Sequence, residues 1–157
     1  MSAGREAAAR RAALAAALSA AGVALLPRRA AAQSGIPIEQ PAERTARAFM
    51  ARAQAARDAA VRAGDQPYGA VIVKDGRIVG WGPSRVVVAG DPTAHAEIEA
   101  VRDAARRLGS RDLSGCVLYA TSRPCAMCEG ALYWARVARI VHGAGLADAG
   151  APRYPPC

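Results

Sequence analysis

The chain has 157 residues, 52% of them hydrophobic but only 4% aromatic, which suits one domain with an aliphatic core and excludes a disordered chain. The net charge of +8 is uneven: residues 1–32 hold five arginines against one glutamate, and the rest holds sixteen basic against twelve acidic side chains, an excess that ordinary soluble domains reach and that is a weak argument for nucleic-acid binding. Four unevenly spaced cysteines argue against a disulfide scaffold.

The first segment has the layout of an export signal. Arg10-Arg11 forms a basic head, Ala12 to Leu26 is an uncharged run of 15 residues, and Ala30-Ala31-Ala32 before Gln33 suits a cleavage site. The run is short and alanine-rich for a membrane span. The expectation is a Tat-type signal peptide over 1–32, a mature domain over 33–157, and a periplasmic or otherwise exported protein.

"PAERTARAFMARAQAARDAAVRAG" (41–64) reads as a helix with proline at its start and glycine at its end. "YGAVIVKDGRIVGWG" reads as a β-hairpin turning at Asp75-Gly76. "DPTAHAEIEAVRDAARRLG" reads as a second helix, capped by Asp91 or Thr93. Its buried stripe is predicted as Ala94, Ile98, Val101, Ala105 and Leu108. "GCVLYAT" is a short buried strand, "PCAMCEGALYWAR" a third helix and "VARIVHG" a further strand. A strand–helix–strand crossover favours a parallel pair beside the antiparallel hairpin. The expected fold is α/β, with a central mixed sheet and helices packed on it.

His95, Glu97, Cys125 and Cys128 carry the chemistry. Cys125 and Cys128 share one side of a helix's first turn, where free N–H groups and the helix dipole favour thiolate. Two thiolates and one imidazole are three zinc ligands, which leaves a fourth position in a tetrahedral site. Glu97, two residues from His95, can move the proton of a water held there. A thioredoxin-like redox pair would give His95 and Glu97 no role. A closed structural zinc site would need a fourth ligand from Cys116, His142 or Cys157. Cys116 is read as a core thiol and His142 as structural or pocket-lining, and Cys157 has no assigned role.

His95-Ala96-Glu97 followed by Pro124-Cys125-Ala126-Met127-Cys128 matches H-x-E…P-C-x-x-C, the signature of zinc nucleobase deaminases. From about Pro67 to Asp148 the chain resembles the cytidine-deaminase-like superfamily, and within it the branch of guanine, nucleoside and tRNA adenosine deaminases. The resemblance rests on "PYGAVIVKDGRIVG", "DPTAHAEIEAVR", "LSGCVLYATSRPCAMCEGALYWAR" and "ARIVHGAG". It implies a three-layer α/β/α domain, usually a homodimer. It implies zinc on His95, Cys125 and Cys128, with Glu97 as proton shuttle and the Ala96 N–H meeting the base beside Pro124. Tyr-Trp-Ala leans toward guanine deaminases, in which Trp134 would pack near the base, with core packing or a dimer contact as its alternatives.

Two positions depart from that pattern, and the segment after the last predicted strand is shorter than the resemblance implies. Ser84 stands where the branch usually has a base-binding asparagine, and one hydroxyl cannot make the same two-point contact. Arg123 stands where glutamate is common. Asp148 is the one acidic residue after the last predicted strand, and so the candidate for a second pocket acid. The expected activity is hydrolytic release of ammonia from a purine or pyrimidine base or nucleoside. A tRNA-specific adenosine deaminase and a catalytically silent zinc-stabilised binding module are the alternatives.

Overall fold

The computed structural model describes residues 35–154, so the expected signal peptide and Cys157 lie outside the described residues. The first helix, α1, is Ala46–Arg62. It starts at Thr45, not at Pro41, because the Thr45 hydroxyl accepts from the Ala48 N–H at 3.2 Å. Strands β1 (Gly69–Lys74) and β2 (Arg77–Pro83) form the hairpin, and both turn residues, Asp75 and Gly76, have positive φ. The remaining elements are α2 (Ala96–Leu108), β3 (Val117–Ala120), α3 (Ala126–Trp134), β4 (Arg139–His142) and β5 (Ala147–Gly150).

The strands form one mixed sheet in the order β2-β1-β3-β4-β5. β1 pairs antiparallel with both β2 and β3, β3 runs parallel to β4 across the α3 crossover, and β4 pairs antiparallel with β5. The sequence did not announce β5, since "ADAG" has no apolar alternation and three of its four residues are exposed.

Alternation along β1 divides the core. Val71 and Val73 face α1, in a cluster with Phe49, Met50, Tyr119 and Val141. Ala70 and Ile72 face the other way, toward α2 and α3, with Leu118, Leu132 and Ile140. The domain is therefore three layers, α/β/α. Each fully buried side chain of the size of Ile72 or Leu118 contributes roughly 1.5–3 kcal/mol relative to leaving it exposed. Cys116 is fully buried in the second cluster, and burial raises its thiol pKa, as befits a core residue.

Helix α2 meets β2 through small residues. Ala96 and Ala100 lie against Gly82, and Ala104 against Gly80. A Cβ on Gly82 would collide with the Ala96 carbonyl oxygen and lie 2.8 Å from the Ala100 Cβ. The buried stripe is thus Ala96, Ala100 and Ala104 with Ile98 beside it, whereas Val101 and Ala105 are partly buried and Leu108 is exposed. A pattern that weights large apolar residues misses this face, because two glycines let the backbones approach and leave no room for leucine. Gly82→Ala is expected to destabilise the domain by about 1–3 kcal/mol in urea unfolding. Gly130→Ala, on α3 with nothing within 4 Å of its added methyl, is expected to leave stability unchanged or raise it.

Candidate active site

Two helix N-termini converge where β3 ends and β1 begins. The register there is held by Thr121, whose N–H donates to the Gly69 carbonyl at 3.0 Å and whose hydroxyl accepts from the Gly69 N–H at 3.1 Å. His95 is the N-cap of α2 and Cys125 the N-cap of α3; both have extended backbones, and neither side chain caps its own helix. Asp91 and Thr93, expected as caps, form a turn ahead of α2 in which the Asp91 carboxylate accepts from the Thr93 N–H and hydroxyl. The extended cap resolves the His95–Glu97 spacing. Residues i and i+2 of a continuous helix point apart, but His95 stands outside α2 while Glu97 lies in its first turn, and both reach Cys128.

The His95 Nδ1 lies 3.7 Å from the Cys125 Sγ and 3.6 Å from the Cys128 Sγ, and the two sulfurs are 3.6 Å apart. A disulfide needs sulfurs about 2.05 Å apart. Tetrahedral zinc with Zn–S of about 2.3 Å and Zn–N of about 2.0 Å places its sulfurs about 3.8 Å apart and sulfur and nitrogen about 3.5 Å apart. The three donors already have that spacing. Cys128 is fully buried, His95 half-buried and Cys125 exposed, so the site opens on one side. Burial first, and the Glu97 carboxylate second, push the Cys128 thiol far above its ordinary range. A thiol so placed becomes a thiolate when a cation sits on it, which fits a metal ligand better than a redox nucleophile.

Glu97 is 6% exposed, and its Oε2 lies 3.5 Å from the Cys128 Sγ. His95, Ala96, Glu97 and Cys125 line a cavity of about 420 Å³ together with Gln66, Tyr68, Ser122 and Arg123. The structure thus brings Ala96 to the cavity beside the three donors and Glu97.

Ser84, Trp134, Pro124 and Asp148 are not among the residues that line this cavity. Ser84 is buried, and its hydroxyl donates to the Asp65 carboxylate at 2.7 Å. Trp134 is 71% exposed at the end of α3, edge-on to Tyr133 and Tyr154, and lines a different depression. Pro124, His142 and Asp148 line an adjoining pocket that shares Arg123 with the main cavity. Asp148 lies in β5, 3.5 Å from Arg139.

Sequence reading missed Gln66 and Tyr68, which precede β1 and line the cavity, and Asp65 just before them. Asp65 holds two loops together. Its carboxylate accepts from the Ser84 hydroxyl and from the N–H groups of Gln66, Val87 and Val88, all within 2.8 Å. Burial works against its charge, but the Val88, Ser84, Gln66 and Val87 bonds together outweigh it and keep the carboxyl below its ordinary 3.8. A depressed folded pKa gives stability that is complete above the ordinary carboxylate range and is lost as pH falls through the folded value. Asp65→Asn is therefore expected to be less stable at pH 7. In urea unfolding the gap to wild type should narrow as pH drops below about 4.

A three-layer α/β/α domain with one imidazole, two thiols and a buried carboxylate at converging helix ends defines a domain with a zinc site open on one side. The sequence profile of the cytidine and deoxycytidylate deaminase zinc-binding region matches residues 43–144, and the chain belongs to that family. It is 49% identical over 83 residues to the guanine deaminase of Bacillus subtilis, covering 53% of each chain. It is 44% identical over 81 residues to the tRNA-specific adenosine deaminase of Aquifex aeolicus, covering 52% of this chain and 54% of the relative. The solved structure of the Bacillus subtilis guanine deaminase superposes with a TM-score of 0.59 at 46% identity, covering 61% of this chain and 62% of that one. The chain thus spans about half the length of these curated relatives. Zinc is the metal that this family region holds, and His95, Cys125 and Cys128 are the donors arranged for it.

Proposed function

We propose that this protein is a zinc-dependent hydrolytic deaminase of a purine or pyrimidine base or nucleoside. The observation that carries the reading is the buried Glu97 carboxylate beside the three metal donors, since a structural zinc site has no use for an acid there. Water adds to the ring carbon that bears the exocyclic amine, the C–N bond breaks, and ammonia leaves as a carbonyl forms. Bound zinc would supply Lewis acidity that brings the pKa of water toward 7. Glu97 takes one proton of the attacking water to a ring nitrogen, then carries the hydroxyl proton of the adduct to the departing amine as the carbonyl forms. In this reading the Ala96 N–H, in the first turn of α2 where backbone donors have no partner within the helix, holds the ring's polar edge. Gln66 and Tyr68 supply a polar and an aromatic wall.

The 44% identity to a tRNA-specific adenosine deaminase supports a second reading, deamination of an adenosine in a tRNA loop. The test is ammonia release by zinc-loaded protein from guanine, guanosine, adenine, adenosine, cytosine, cytidine and an anticodon stem-loop. Turnover of a free base or nucleoside is expected. Turnover of the stem-loop alone would assign the second reading. No release from any of them, with zinc bound, would contradict both and leave a zinc-stabilised binding module.

A further inference from the structure

A ring that is to lose its amine must also be held by another edge, and Ser84, the sequence candidate for that contact, is already bonded. Its buried hydroxyl donates to the Asp65 Oδ1 at 2.7 Å. The same oxygen accepts from the Gln66 N–H at 2.8 Å. The Gln66 carbonyl accepts from the Tyr68 N–H at 2.8 Å across Pro67, and a residue that precedes proline has little backbone freedom of its own. The backbone of Gln66 is therefore fixed on both sides. Its side chain is not. Gln66 is exposed and lines the cavity, and its carboxamide makes no hydrogen bond among the described residues. The other lining groups discriminate less. The Arg123 side chain donates and never accepts, while the hydroxyls of Ser122 and Tyr68 rotate to suit a donor or an acceptor equally. His95 and Cys125 are metal donors, and Glu97 moves protons. Among the described lining residues Gln66 is the one carboxamide, with a donor and an acceptor side by side in one plane. Such a group makes two parallel hydrogen bonds to a ring edge that carries a donor beside an acceptor, as carboxamides do on base edges. An edge of acceptors alone can keep one of the two.

We propose that Gln66 selects the ring, through two hydrogen bonds from its carboxamide to an edge that carries a donor beside an acceptor, and that Asp65 positions it by fixing its backbone. This rests on the deaminase reading and adds a specificity-determining residue to it. The experiment has two arms, both on zinc-loaded protein. Gln66→Met keeps the length of the side chain without either bond, and Gln66→Glu keeps acceptors and loses the donor. For the best substrate among guanine, guanosine, adenine, adenosine, cytosine and cytidine, Gln66→Met should raise KM by about tenfold to a hundredfold with kcat within a few fold of wild type. Gln66→Glu should raise KM as well. Any slower substrate should lose less, so discrimination between rings shrinks; a merely structural role would penalise every ring alike. The second arm needs no turnover. Xanthine, hypoxanthine, uracil and their nucleosides carry a carbonyl where the substrates carry the amine, so they stay intact while calorimetry measures their binding. The one that wild type binds most tightly should bind at least about tenfold more weakly to Gln66→Met. Equal losses for every ring, a loss confined to kcat, a product affinity that Gln66→Met leaves unchanged, or a wild type that binds none of the products would overturn the assignment and leave the deaminase standing. A product whose binding depends on Gln66, with no ammonia from any ring, would support the assignment and contradict the deaminase.

Discussion

Glu97→Ala is expected to keep one zinc per chain and the wild-type fold, and to lose ammonia release by about 10²–10⁴-fold, the range of a positioned acid–base group. The expectation follows from position. Glu97 touches the site through a single oxygen, 3.5 Å from the Cys128 sulfur, while the three donors are already spaced for zinc without it. Removing the carboxylate therefore leaves the donor set whole. It also removes a negative charge that raises the Cys128 thiol pKa, so metal affinity should not collapse. Glu97→Gln keeps the shape and hydrogen-bonding capacity but cannot take up a proton, and should be as inactive. Metal content by mass spectrometry and ammonia release on one preparation separate the outcomes. Zinc lost with the carboxylate would make Glu97 a ligand. Turnover within a few fold of wild type would remove it from the chemistry.

Cys128→Ser is expected to be the most damaging single change, abolishing both zinc retention and turnover. Cys128 is fully buried between Cys125, His95 and Glu97, so nothing from solvent can take its place. Cys125→Ser, at the exposed side, should weaken zinc less and respond to added metal. The apo protein should still unfold cooperatively, because both core clusters are built without the metal. Zinc at about a thousandfold over its dissociation constant stabilises by about 4 kcal/mol. Thermal unfolding of the wild type with and without a chelator should show that gap, and Cys128→Ser should show none. An apo protein with no cooperative transition would mean that the metal organises the fold.

Much of the site could be read from the sequence because zinc chemistry restricts residue types and spacings. His95, Glu97, Cys125 and Cys128 lie in two short segments, and each segment is a strand or loop entering a helix, so local rules sufficed. The residues that share their cavity were hidden by distance along the chain. Gln66 and Tyr68 line it together with His95, a long-range meeting that no local pattern records. Ser84 stands where a base-binding side chain is usual, yet its hydroxyl is engaged by Asp65, nineteen positions earlier, and only coordinates reveal such a pair. Trp134 looked like a pocket residue by its neighbours in sequence and lies on the surface at the far end of α3. The alanine–glycine contact of α2 with β2 was missed because small residues give almost no hydrophobic signal, although here they fix the distance between helix and sheet.

Zinc-edge X-ray absorption on the purified wild-type protein tests the central claim most directly. A site made by His95, Cys125 and Cys128 predicts one zinc per chain with two sulfurs at about 2.3 Å and two nitrogen or oxygen neighbours at about 2.0 Å. Three or four sulfurs in the first shell, or a protein that binds no zinc, would contradict it.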